Sequence, residues 1–254
     1  MFRLKHILDP KNVLMSDSIP IPDQQYIKII STIADPVVAF ITCIGEITVQ
    51  SVKNGVAVTE TYSDLSGAQL AIQADVNTEI KIIGDVTVFI CGEYQGWGYA
   101  DTVLAKSLEF NNSVLAQVVV TGKDSYGAIS TVESMVFNNT AALTILACDG
   151  CAGLTALDLS ANTALHQMVC DGCTGLTALD LSANTALTYL SCGGCTGLTE
   201  IKYPATNSSV STSIAGAISN ATAADGTVYT DSQGAYYSTI ADAATAKGWT
   251  VYEL

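Results

Sequence analysis

The feature that most constrains this chain is a period of 11 residues. From residue 143 to 197 the sequence reads LTILACDGCAG, LTALDLSANTA, LHQMVCDGCTG, LTALDLSANTA and LTYLSCGGCTG. All five fit one half-unit, L-x-x-L-x-(L/C)-x-x-(N/C)-x-x, with Met168 in the fourth place of the third, and two half-units make a 22-residue repeat. The pairs Cys148/Cys151, Cys170/Cys173 and Cys192/Cys195 recur at that spacing. A unit this short cannot bury its apolar side chains alone, so neighbouring copies must stack on a shared core.

Aligning the sixth positions extends the repeat backward. Half-units of the cysteine type begin at Val86, Leu115, Leu143, Leu165 and Leu187, with Cys91, Val120, Cys148, Cys170 and Cys192 sixth. The intervening ones begin at Ala105, Val132, Leu154, Leu176 and Leu198. Residues 86–203 therefore predict about five turns. Residues 26–85 hold short alternating runs separated by turn residues such as Asn54-Gly55, which predicts a small β-sandwich. Residues 1–25, with Pro10, Pro20 and Pro22, read as an N-terminal arm.

In residues 204–254, Asn207 or Ser208 caps a helix whose apolar face is Val210, Ile214, Ile218 and Ala221. A strand follows at 227–230. A second helix after Asp231 carries Tyr237, Ile240, Ala241 and Ala244 on one face and ends at Lys247-Gly248. A last strand covers 249–253. The expected fold is mainly β with an α/β cap: a small β-sandwich, then a solenoid of about five 22-residue turns.

The spacing C-x2-C-x18-C-x2-C also fits a zinc ribbon. In a stack, however, the sixth position points inward beside its equivalent one rung away, where cysteine serves as a small hydrophobe. Leu159 and Leu181 hold the matching place in the other half-unit, and Asn162 and Asn184 match Cys151, Cys173 and Cys195. A structural column is the reading preferred over a metal site or disulfides. No secretory leader is evident, since Asp9, Pro10 and Lys11 interrupt any apolar run after MFRLKH; reduced thiols are expected.

Asp158 and Asp180 take the outward fifth position of consecutive rungs, after Glu109 and before Lys202. They are expected as solvated charge, with a bridging calcium ion as the alternative. His6 and His166 lie apart and have no nucleophile arrangement nearby. The sequence holds no P-loop, GxSxG or HExxH motif, so neither enzymatic activity nor a cofactor is expected.

The net charge is −14, which argues against nucleic acid and anionic membranes as partners. No apolar run approaches the roughly 20 residues of a membrane span. Two insertions leave the repeat just after the sixth position. Compared with a regular half-unit, the stretch from Cys91 to Ala105 carries eight extra residues and that from Val120 to Val132 six. They supply Tyr94, Trp97, Tyr99, Asp101, Lys123, Asp124 and Tyr126, a set of aromatics and charges suited to a sugar ring or a protein partner.

The pattern L-T-x-L-D-L-S-x-N-T-A-L-T-x-L-x-C resembles bacterial leucine-rich repeats of the internalin-like type with a cysteine column. The segment 46–69 is similar to the β-sandwich leader that precedes such repeats in gut-bacterial surface proteins and their phages, although Ser51 to Gly55 replace its usual W-G-D-G turn. Residues 225–251 look like a C-terminal cap of the same proteins. The resemblance implies binding rather than catalysis. The expected function is attachment on the outside of a particle, as a phage virion fibre or decoration protein that recognises a host-surface glycan or protein. The alternative is a secreted or cell-surface adhesin of a gut bacterium. A homo-oligomer is compatible with either, and a trimer with a fibre.

Overall fold

The structure is a computed structural model that describes residues 25–31, 37–72, 74–75, 77–91, 105–120 and 132–254. Of these, 43% lie in strands and 12% in two helices. The N-terminal arm predicted over 1–25 lies outside the described residues except for Gln25.

Five strands precede the first insertion: β1 (Tyr26–Ser31), β2 (Val37–Lys53), β3 (Val56–Ser63), β4 (Ala68–Ile72) and β5 (Glu79–Cys91). Their alternating burial, with Ile27, Ile29, Ile47, Val49, Ile80 and Ile82 inward, makes one apolar face. The long strand β2 pairs antiparallel with β3, β4 and β5. At about 3.3 Å per residue, β5 is long enough to serve two neighbours along one edge. Glu79–Ile83 pair antiparallel with β1, and Val88–Cys91 pair parallel with β7 (Gln117–Val120).

From that junction two limbs of strands diverge. One continues from β7 through β9 (Ile145–Ala147) and β10 (Gln167–Val169) to β12 (Tyr189–Ser191), all parallel. In the other, β1 pairs antiparallel with β6 (Ala105–Asn111), which pairs parallel with β8 (Ser134–Asn138). Together these form an 11-stranded mixed sheet that curls around the core. A second, parallel sheet has the order β11 (Ala178–Asp180), β13 (Glu200–Lys202), β14 (Thr227–Thr230), β15 (Thr250–Glu253).

This connectivity corrects the expected fold class. There is no separate sandwich followed by a solenoid, because leader strands and repeat strands share one sheet and one continuous buried cluster. There is no separate α/β cap either, because β14 and β15 extend the sheet begun by β11 and β13. The architecture is a curled, mostly β fold with two helices. The physical reason lies in β5: Gly84 at φ +129° lets the strand bend without ending, so it hands one edge from β1 to β7.

The residue alignment itself appears in the strand registers. Cys91 lies beside Val120, Gln167 beside both Ile145 and Tyr189, and Val228 beside Val251. The inward positions Leu108, Phe110, Met135, Phe137, Leu157, Leu159, Leu179, Leu181, Ile201 and Tyr203 are buried. Phe110 stacks on Phe137 at 5.1 Å and meets the edge of Phe89 at 5.6 Å.

Helix α1 (Ser208–Asn220) starts at Asn207, whose side chain accepts from the backbone of Ser209 and Val210. It lies against β12, where the Ser213 hydroxyl donates to the Leu190 carbonyl at 2.6 Å. Helix α2 (Tyr237–Lys247) ends at Gly248 in the left-handed region.

A Cβ at Gly84 would stand 2.8 Å from the Glu46 carbonyl and 2.9 Å from the Ile47 side chain. We expect Gly84→Ala to lower stability by about 2 kcal/mol, and the melting temperature by roughly 4–8 °C. Thermal unfolding measures this, and an unchanged midpoint would mean that β5 and β2 do not approach this closely.

Candidate functional site

The cysteines come first, because their spacing most suggests chemistry. All eight are buried. Cys148, Cys170 and Cys192 point into the core, as Leu159 and Leu181 do in the other half-unit. The partner thiols bond to backbone one rung back: Cys173 donates to the Cys148 carbonyl at 3.1 Å and Cys195 to the Cys170 carbonyl at 3.0 Å. Cys151 reaches the Val120 carbonyl at 3.6 Å. The asparagines repeat this arrangement, with Asn162 Nδ2 on the Thr140 carbonyl at 2.8 Å and Asn184 Nδ2 on the Asn162 carbonyl at 2.9 Å.

Four of the thiols are raised in pKa, while hydrogen bonding to Cys170 lowers Cys195. Burial pushes the Cys91 thiol up to about 12 and raises Cys192 as well. Hydrogen bonding to Cys173 and burial raise Cys148; hydrogen bonding to Cys195 and burial raise Cys170. Among the described residues no group of three or more His, Cys, Asp or Glu is placed to hold a metal ion.

The residues predicted as a binding site, Tyr94, Trp97, Tyr99, Asp101, Lys123, Asp124 and Tyr126, lie outside the described residues. Their stems do not. The first insertion leaves from Cys91 and the second from Val120, which are direct neighbours across β5 and β7. The first returns into β6 and the second just before β8, strands paired from Ser107/Ser134 onward. Both insertions thus begin and end one rung apart.

The described surface adds a row of outward side chains that crosses the strands. Lys28 and Glu109 are register partners, and Glu109 is followed by Val136. Farther along come Asp158 and then Asp180, Lys202, Tyr229 and Tyr252, the last four adjacent in register. Glu109 accepts from Tyr26 Oη at 2.6 Å and pairs with Lys28 Nζ at 2.6 Å. Burial alone would raise the Glu109 carboxyl, but Lys28, Tyr26 and Asn138 together lower it. The hydrogen bond to Glu109 pushes the Tyr26 hydroxyl up to about 12.

Asp158 and Asp180 do not face each other as a naked pair. Each accepts from the backbone and hydroxyl of the serine two residues on, Ser160 and Ser182. The Asp180 carboxylate also lies 3.5 Å from Lys202 Nζ. The serine bonds lower the Asp158 carboxyl. Between the two aspartates is a shallow pocket of about 80 Å3, floored by Leu157 and Leu159.

Beyond them Lys202 Nζ sits 5.3 Å from the centre of the Tyr229 ring, and Tyr229 stacks on Tyr252 at 5.4 Å. Tyr252 is 51% exposed at the last strand of its sheet. The sequence reading missed this ladder, although the 23-residue step from Tyr229 to Tyr252 matches that from Val228 to Val251.

No protein-family model, curated protein or solved structure matches the chain. No helix among the described residues is long and apolar enough to cross a membrane.

The thiol shifts set a pH dependence. Unfolded thiols ionise near pH 8.5, whereas Cys91, Cys148, Cys170 and Cys192 hold their protons to higher pH in the folded chain. Above that pH the unfolded state binds fewer protons, so stability falls as pH rises. We expect urea midpoints to be flat from about pH 6 to 8 and to decline steadily from about pH 8.5 upward. A midpoint constant to pH 10.5 would contradict the buried-thiol column.

Proposed function

We propose that this chain is a non-enzymatic attachment protein that recognises a protein or a cell-surface glycan. It would act on the outside of a particle, as a virion fibre or decoration. The observation that carries this reading is the convergence of the two insertion stems at Cys91/Val120 and, on the return side, near Ser107/Ser134. Two aromatic-rich loops rooted one rung apart on a rigid sheet make a binding platform of the kind repeat proteins use.

Three further points support binding over catalysis. Two shallow spaces among the described residues, about 80 and 150 Å3, are well below the roughly 300–1,000 Å3 of small-molecule sites. The thiols are buried, and Asp158 and Asp180 accept from serines. The repeat motif resembles that of bacterial and phage surface proteins, which bind.

A glycan array, together with binding to host-cell surfaces, tests the reading with the full chain and with Trp97→Ala and Tyr126→Ala. We expect at least a tenfold loss of binding in Trp97→Ala with unchanged melting. A ligand held equally by both variants would sink the loop site. Mass spectrometry of purified particles tests location: recovery of the chain in virions supports the fibre or decoration role. Its recovery on bacterial surfaces alone favours the adhesin.

A further inference from the structure

Among the described residues, the hairpin formed by β2 and β3 ends in an edge that no further strand uses. Among the described residues β3 pairs with β2 alone, over eight residues, without a register shift. It is longer than β15, the four-residue strand at the end of the other sheet, and β12 is covered by α1. An exposed edge is normally blunted by brevity, by lysine or proline, or by a bulge. The segment VAVTETYS has none of these; its one protective feature is the charge of Glu60 on the inward face, and its valines, threonines and tyrosine favour strand pairing.

The turn fixes which groups are open. Asn54 and Gly55, both at positive φ, form a two-residue turn between Lys53 and Val56, and Asp75 accepts from both turn amides. A two-residue turn makes its flanking pair the hydrogen-bonded one. Bonding to β2 therefore falls on Val56, Val58, Glu60 and Tyr62. The amides and carbonyls of Ala57, Thr59, Thr61 and Ser63 point to the open side.

The side chains say what would pair there. Glu60 lies opposite Val49 and Tyr62 opposite Ile47, so both belong to the face turned toward the core. Both are half-buried. Glu60 accepts from the Tyr62 hydroxyl at 2.6 Å and has no cation partner among the described residues. In the antiparallel registers that align most of β3 with its own copy, two Glu60 carboxylates come within two positions of each other. Like charges at that distance disfavour self-pairing, and so does the net charge of −14.

We infer that β3 is an acceptor edge for an extended strand of another protein, one that places a lysine or arginine opposite Glu60 among alternating apolar residues. Main-chain bonds to Ala57, Thr59, Thr61 and Ser63 supply the attachment, and the cation at Glu60 sets the register. This site is independent of the two insertions, so its failure leaves the loop reading untouched.

The test uses the full chain and a labelled peptide, Thr-Val-Thr-Lys-Thr-Val-Thr-Val, beside the same peptide with glutamate for lysine. We expect the lysine peptide to bind at least ten times more tightly. Thr59→Pro removes an open-side amide without touching the β2 ladder and should abolish binding. Glu60→Lys should invert the peptide preference, which keeps the test decisive if the proline variant does not fold. Equal binding of the two peptides, no binding of the lysine peptide at about 1 mM, or a wild-type dimer that Thr59→Pro dissociates would each overturn the inference.

Discussion

Parallel register, one rung to the next, is the constraint on which the rest of this structure depends. The Thr188 amide donates to the His166 carbonyl at 2.9 Å, and the Thr199 amide to the Thr177 carbonyl at 2.8 Å, each across 22 residues. That translation puts like on like. Leucines meet leucines, thiols meet thiols, and the outward fifth positions Asp180 and Lys202 align, with Tyr229 and Tyr252 continuing the row at longer steps. A slip of one residue would turn every leucine to solvent, so the register is set strongly by burial.

The two limbs of strands would have no common frame without β1. It lies between β5 and β6, antiparallel to both, and so ties the two strands that carry the ends of the first insertion. Its outward face supplies Tyr26 and Lys28 to Glu109. The pair is half-exposed and adds modestly to stability. Its larger effect is positional, because the carboxylate on β6 accepts from Tyr26 and Lys28 on β1 and from Asn138 on β8. The seam that holds the limbs together is therefore polar outside and closed inside by Phe89, Phe110 and Phe137.

What the sequence made legible follows from periodicity. Cysteine and leucine alignment recovered the pairing of Cys91 with Val120 across the first insertion, and local signals placed both C-terminal helices and the strand Thr227–Thr230. The architecture was not legible, for two physical reasons. Gly84-Asp85 reads as the end of one strand and a domain boundary, yet Gly84 only bends a strand that runs on to Cys91. And β14 and β15 look like parts of a separate cap, because nothing local reveals that a 27-residue step pairs Glu200 with Thr227. Of the candidate site, the insertion stems were legible from spacing. The Tyr229–Tyr252 ladder and the β3 edge were not, since each depends on which strands become neighbours.

The CxxC pairs show why a motif needs its register before its chemistry. At the ninth position cysteine and asparagine solve one problem, supplying a donor to a buried carbonyl one rung back. They differ in what they leave over. Asn162 and Asn184 each bury an amide whose Oδ1 finds no partner among the described residues, and an unpaired buried acceptor costs about 1–3 kcal/mol. A thiol makes a weaker bond but brings no orphan oxygen, and its sulfur packs as a small hydrophobe. The asparagine half-units offset the orphan with stronger donation, Asn162 reaching both the carbonyl and the hydroxyl of Thr140. The cysteine half-units reach the same end with less polarity to hide. Thiols that would suggest metal binding in an isolated loop are, in this register, the less costly of two ways to close a buried turn.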